Sequence, residues 1–348
     1  MGFIPGEFKC VLPVIQLIVT LQSSEGILGF DGKPNSPKLQ INPISLAVLK
    51  KERFIQAACG GDHVIALTTT GHVFAWGDAR QGALGRKVLE RHIKDGLDPD
   101  RLALRNIVHV ASGMWHSFAI DKDGVVYAWG LNSQGQLGLG DESYFDPDME
   151  EKDRELPPHV ASPQQVVALH PDTLGGGRKC VQISGGEHHT IFLISDGSVY
   201  ACGRHDSSQL GLAEDHPTSQ LMKTLKERHP SAMACVPYPV QVFFPPPPTE
   251  DNTDPPLGSY PESLARVSTR PIKNISAGTR HNLAVSHDGI VYGWGYGSQY
   301  QLGMGEVDEK DVPGRVKSAA MPPFDVESAY SGGQHCLLMV RRKEALTS

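Results

Sequence analysis

The sequence predicts an all-β protein assembled from repeated radial blades, a β-propeller, on three observations. A spaced pattern of histidine, glycine, glycine and Leu-Gly recurs four times. Side chains between the two central glycines alternate in size with the period of a strand. A glycine after polar residues stands where two such strands need a tight turn.

The four copies are His63, Gly71, Gly77 and Leu84-Gly85; His116, Gly124, Gly130 and Leu137-Gly138; His189, Gly197, Gly203 and Leu210-Gly211; and His281, Gly289, Gly295 and Leu302-Gly303. The internal steps are 8, 6 and 8 residues in every copy, which excludes chance and a single phosphate-binding loop. Each copy opens with an apolar strand: "HVIAL", "HSFAI", "HTIFL", "HNLAV". The turns "TTTG", "DKDG", "ISDG" and "SHDG" follow, with glycine supplying φ > 0. The next strand carries Val73, Val126, Val199 or Val291, then Phe74, Tyr127, Tyr200 or Tyr292, then Ala75, Ala128, Ala201 or Gly293. Trp76, Trp129, Cys202 and Trp294 close it. This gives a bulky face and a tight face, the latter allowing close approach of a neighbouring sheet.

A late half with "EGILGF" (25–30) occupies 23–30, and an early half with His335 occupies about 325–341. Full repeats span about 52–85, 106–140, 179–213 and 272–306, within a propeller region 23–341 that follows an atypical segment 1–22 and precedes a tail 342–348. The repeat histidines His63, His116, His189, His281 and His335 read as structural, each with a glycine three residues before it. One histidine per blade converges poorly on a metal, and no metal or cofactor is expected. Residues 86–105 read as charged with helical character, and 141–178 as acidic, then Pro/Gly-rich. Residues 214–271 read as a long proline-rich insertion, of which 241–262 is expected to be a mobile, dispensable loop.

A formal net charge of −7 argues against direct nucleic-acid binding by the bulk surface and suits a basic protein face. Six cysteines without a C-x-x-C pair suit a reducing compartment. The apolar run 11–21 follows a weak charged leader and lacks an A-x-A site, so it does not read as a secretory signal.

"YAWGLNSQGQLGLGD" resembles the repeat of the regulator of chromosome condensation family, whose repeats build a seven-bladed propeller. The resemblance covers 23–341. The order "EGILGF", "GALGRKVLERH" and the proline-rich insertion before "GIVYGWGYGSQYQLGMG" resembles the family's fungal guanine nucleotide exchange factors for the Ran-type nuclear GTPase. The resemblance implies a β-hairpin wedge that loosens the GTPase's nucleotide, matched here by Ser23, Ser24, Glu25, Gly26, Ile27, Leu28 and Gly29. It also implies GTPase-facing residues just before the repeat histidines: Asp62 and His188, then Trp115, Arg280 and Gln334. No bond is made or broken, so no catalytic acid or base and no small-molecule substrate is implied. The resemblance further implies a nuclear protein, with a cytoplasmic pool left open, that contacts chromatin through parts outside this chain.

Two departures stand out. The family chain carries additional N-terminal blades and a basic tail. Here "VIQLIVTLQ" replaces a strand ending in "WG", with Gln22 at an expected arginine. The chain therefore reads as an incomplete ring with open, aggregation-prone sheet faces. A propeller scaffold or inhibitor without exchange activity is the rival reading. Asp62 as a cap of its own loop, and the wedge as an ordinary hairpin, stay open as structural alternatives.

Overall fold

The computed structural model describes residues 18–19, 44–45, 52–88, 96–146, 148–150, 154, 156–245, 271–305, 308–317, 321 and 324–342. The wedge segment 23–29 and most of the segment 241–262 lie outside the described residues.

The fold is all-β, and the described residues form four four-stranded antiparallel sheets. The first contains β3 (Phe54–Cys59), β4 (His63–Thr68), β5 (Val73–Gly77) and β6 (Asp100–Arg101). The second contains β7 (Ile107–Ser112), β8 (His116–Asp121), β9 (Val126–Leu131) and β10 (His159–Gln165). The third contains β11 (Cys180–Gly185), β12 (His189–Ile194), β13 (Val199–Arg204) and β14 (Cys235–Val242). The fourth contains β15 (Ile272–Ala277), β16 (His281–Ser286), β17 (Val291–Gly295) and β18 (Lys310–Arg315). In each, strands neighbour in chain order. Two further strands, β19 (Phe324–Ser331) and β20 (Cys336–Arg342), pair with each other, as do β1 (Ile18–Val19) and β2 (Ile44–Ser45).

The β1–β2 pair has the register of a third and fourth strand. Ile18 faces Ser45 and Val19 faces Ile44, as Phe74 faces Arg101 and Ala75 faces Asp100. Ile18 stands ten residues before Leu28, as Phe74 stands ten before Leu84. The apolar run 11–21 thus carries a strand residue pair at the position where the repeat requires one.

The chain divides into two compact units. One holds the first two sheets; the other holds residues 134–155 and 181 onward. In the first unit a shared core runs between the two sheets, from Ile65, Leu67, Val73 and Ala75 to Val110, Ala119 and Trp129. Buried on both faces, the inner strands are mostly apolar on both sides, whereas a one-sided sheet would alternate. In the second unit Leu283, Val285 and Val291 pack on Val326 and Ala329.

Two glycine positions are fixed by geometry. The hairpin glycines Gly71, Gly124, Gly197 and Gly289 have φ between 77° and 91°, the region that a β-carbon disfavours. Two of the Leu-Gly glycines sit under the next blade's tryptophan. A Cβ on Gly211 would lie 2.8 Å from Trp294 Nε1, and one on Gly85 2.9 Å from Trp129 Nε1.

The same places carry a repeated polar lock. The carbonyl just before Leu-Gly accepts from the next blade's indole: Trp129 Nε1 donates to Ala83 O at 2.8 Å, and Trp294 Nε1 to Gln209 O at 3.1 Å. It also accepts from the residue after the next repeat histidine. Ser117 Oγ donates to Ala83 O at 3.1 Å, Thr190 Oγ1 to Gln136 O at 2.7 Å, and Asn282 Nδ2 to Gln209 O at 2.8 Å. Trp129→Phe deletes one donor and leaves Ser117 in place. It is expected to lower the unfolding free energy in urea by about 1 kcal/mol, the net worth of one buried hydrogen bond. An unchanged midpoint would show that the indole contributes by packing alone.

The inter-repeat segments differ from their sequence reading. The described part of 86–105 carries the short fourth strand β6, while residues 89–95 lie outside the described residues. The segment 214–271 contains a 12-residue helix, α2 (Pro217–Arg228), reckoning α1 as Pro171–Leu174, and then the buried strand β14. His216 Nδ1 caps α2 by accepting from Thr218 N at 3.1 Å, and Pro217 opens it. Val242 is 2% exposed within β14, so its neighbourhood belongs to a sheet and not to a dispensable loop.

Candidate functional site

The loops joining first and second strands are built alike. The glycine three residues before the repeat histidine donates its N–H to that histidine's carbonyl, at 2.8–2.9 Å from Gly60, Gly113, Gly186, Gly278 and Gly332. The carbonyl just before the histidine accepts from the end of the third strand. Asp62 O receives Asp78 N at 2.7 Å, Trp115 O receives Leu131 N at 2.9 Å, His188 O receives Arg204 N at 2.9 Å, and Arg280 O receives Tyr296 N at 2.9 Å. The loop is thereby clamped on both sides. Asp62, Trp115, His188 and Arg280 are half-buried at these loop ends, and Gln334 is exposed.

The repeat histidines are below the surface. His63, His116, His189 and His281 are at most 1% exposed. His63 Nε2 meets Ser117 Oγ at 2.8 Å, His189 Nε2 meets Asn282 Oδ1 at 2.8 Å, and His281 Nε2 meets Cys336 Sγ at 3.3 Å. Burial pulls His63, His189 and His281 down to about 4, so they are neutral at pH 7. His335 differs in being exposed. Among the described residues, no group of three or more His, Cys, Asp or Glu could hold a metal ion.

Within the first unit the loop region contains Asp62, Trp115 and an acid–base pair. Arg80 Nε donates to Asp78 Oδ2 at 2.7 Å, and Arg80 N to Asp78 Oδ1 at 2.8 Å. Burial alone would raise the Asp78 carboxyl; the hydrogen bonds and charge of Arg80 outweigh it and hold it low. The loops of adjacent sheets are tied by Gly61 N donating to Met114 O at 2.7 Å.

Within the second unit His188 stands among four charges. Arg280 Nε donates to Glu187 Oε2 at 3.2 Å across adjacent sheets, and Glu187 N donates to Thr279 O at 3.1 Å. Arg204 pairs with Asp206, which also accepts from Gln209 Nε2 at 3.2 Å. Gln136 Nε2 lies 3.5 Å from His188 Nδ1. Burial foremost lowers His188, with Arg204 and Arg280 adding to this against the opposing charges of Glu187 and Asp206. The structure therefore brings His188 and Arg280 into one cluster and sets Asp62 and Trp115 on two loops tied by the Gly61–Met114 backbone bond. Glu187, Arg204 and Asp206 escaped the sequence reading because they carry no repeat signal. These groups can recognise a protein surface through charge and hydrogen bonds.

The family model for the RCC1-like domain matches residues 16–338. The chain belongs to the RCC1-like domain family. Protein pim1 of Schizosaccharomyces pombe is 36% identical over 320 residues, covering 92% of this chain and 50% of that protein. The guanine nucleotide exchange factor SRM1 of Saccharomyces cerevisiae is 34% identical over 316 residues, covering 90% of this chain and 56% of that protein. This RCC1-like chain thus spans about half the length of the curated relatives it matches. Among solved structures, Prp20p of Saccharomyces cerevisiae superposes with a TM-score of 0.70 at 31% identity, over 93% of this chain and 64% of that one. That protein was studied for its binding to Gsp1p and histones. The fold is accordingly a β-propeller of the regulator-of-chromosome-condensation type.

Proposed function

We propose that the chain promotes release of guanine nucleotide from a Ran-type small GTPase in the nucleus, as part of an exchange factor that also meets chromatin. What supports the reading is the kinship to SRM1, itself named a guanine nucleotide exchange factor, together with clamped loops presenting Asp62, Trp115, His188 and Arg280. The mechanism is differential binding. The chain holds the nucleotide-free GTPase more tightly than the loaded one, and by linkage the nucleotide is held less tightly in the complex. Rigid loops serve this because little side-chain and backbone ordering remains to be done on binding. Residues 23–29 supply the wedge in this reading, and the loop residues supply the docking surface. No covalent step is involved.

The test is stopped-flow release of a fluorescent guanine nucleotide from a Ran-type GTPase. The chain is expected to accelerate release above the intrinsic rate. Asp62→Ala is expected to slow the accelerated rate about tenfold, the size of a good interface contact. An unaltered rate would return Asp62 to the fold. Tight binding without release would favour a scaffold or inhibitor.

A further inference from the structure

The four charges around His188 are layered by exposure. In one pair the cation is outermost: Arg280 is 41% exposed and Glu187 20%. In the other the anion is outermost: Asp206 is 39% exposed and Arg204 28%. Backbone bonds hold the inner members in place. Glu187 is fixed by its N–H to Thr279 O at 3.1 Å, and Arg204 by its N–H to His188 O at 2.9 Å. Half-exposed ion pairs contribute about 0–1 kcal/mol to stability, so folding alone gives little reason for two of them at one loop end. Each inner charge instead restrains an outer one and leaves part of it open to solvent.

Resting on the exchange-factor reading, we propose that Arg280 and Asp206 are the two recognition charges of this cluster, with Glu187 and Arg204 as their positioning residues. The partner surface they fit presents a carboxylate opposite Arg280 and a lysine or arginine opposite Asp206. His188 feels all four charges, and burial foremost lowers it, which disfavours a further positive charge beside them. Because the four charges sum to zero, the cluster creates little long-range field. It selects by local pattern and rejects a surface with the two charges transposed, since like charges meeting in an interface are strongly unfavourable. Arg280 stands at a repeat loop position, whereas Asp206 follows the third strand, and the pattern exists only where both come together.

The test measures release of a fluorescent guanine nucleotide from a Ran-type GTPase at increasing concentrations of the full chain. Arg280→Glu and Asp206→Lys are each expected to raise the half-saturating concentration about tenfold, with the maximal rate within about twofold. Arg280→Lys keeps the charge and is expected to stay close to wild type. Glu187→Gln is expected to raise the half-saturating concentration by a smaller factor, with the melting temperature unmoved. Two results would overturn the proposal: wild-type half-saturation in both charge reversals, or losses that track a fallen melting temperature. If the unaltered chain does not accelerate release, the exchange reading fails by itself. Binding of the nucleotide-free GTPase, followed by interferometry with the same variants, then decides the patch. Weakened binding by the reversals supports it, and equal or absent binding overturns it.

Discussion

Acidification from pH 7 towards pH 4 is expected to unfold the protein cooperatively, with most of the stability lost between pH 6.5 and 4.5. His63, His189, His205 and His281 are each pulled down to about 4, in every case chiefly by burial. Their unfolded values lie near the ordinary 6.5, so in this window the unfolded chain binds more protons than the folded one. The sign follows: stability is complete above 6.5 and drains as pH falls towards 4. Each histidine accounts for about 3 kcal/mol over the whole interval, from the shift and about 1.4 kcal/mol per pH unit. Four such groups together match or exceed the roughly 5–15 kcal/mol that holds a domain folded, so unfolding precedes full titration. The neighbouring charges are too few to reverse this. Asp78 lies near His63, Glu187 and His188 near His189, Asp206 and Asp311 near His205, and His335 near His281. The depressed carboxyls Asp78 and Asp206 lose their contribution only below the ordinary carboxylate range, in a separate, lower window. Urea titrations at half-unit pH steps, read by circular dichroism and tryptophan fluorescence, would measure the slope. A flat unfolding free energy from pH 6.5 to 4.5 would show that the histidines are solvated.

The second and third strands of every sheet were legible because their determinants are local. A β-former run, a glycine with positive φ and a second run lie within about fifteen residues, and the repeat exposes them four times. The fourth strands were not legible, for a reason that proline makes plain. Strands β10, β14 and β18 contain Pro163, Pro237 with Pro239, and Pro313, residues that argue against a strand in a sequence. Each lies where the register shifts: between Val160 and Gln164, between Val236 and Val240, and between Lys310 and Gly314. The last strand of a sheet needs no ladder on its outer side, and a bulge releases the inner one. Proline is therefore tolerated at these places, and the proline-rich insertion 214–271 holds a strand that its composition hides. The candidate site was legible one loop at a time. Asp62 and His188 stand beside repeat histidines, but the Glu187–Arg280 pair joins residues 93 positions apart. Only the stacking of adjacent sheets brings them together.

Asn282→Leu is expected to cost about 3 kcal/mol, although leucine shares the heavy-atom branching of asparagine and the site is wholly buried. The orientation of Asn282 follows from its partners. Its Nδ2 donates to Gln209 O at 2.8 Å, which leaves Oδ1 to accept from His189 Nε2 at 2.8 Å, so the proton of His189 sits on Nε2. Asn282 is thus a relay between the histidine of one sheet and the carbonyl before Leu-Gly, accepting from the first and donating to the second. Ser117 does the same between His63 and Ala83, and Cys336 between His281 and Gln301, where the thiol donates at 2.8 Å. The requirement at this position is one acceptor and one donor in a small side chain, which asparagine, serine and cysteine all meet. Leucine meets neither. It strands the His189 N–H in a dry site, while Gln209 O keeps only the indole of Trp294 at 3.1 Å. Asn282→Ser restores both functions at some loss of packing and is expected to recover more than half of the deficit. Asn282→Asp places a carboxylate against His189 and raises that histidine, so it should weaken the protein at pH 7 while lessening its acid sensitivity. Urea unfolding of the three variants at pH 7 and pH 5.5 separates these effects. A leucine variant within about 1 kcal/mol of wild type would show that stacked apolar faces hold the sheets together without the relay.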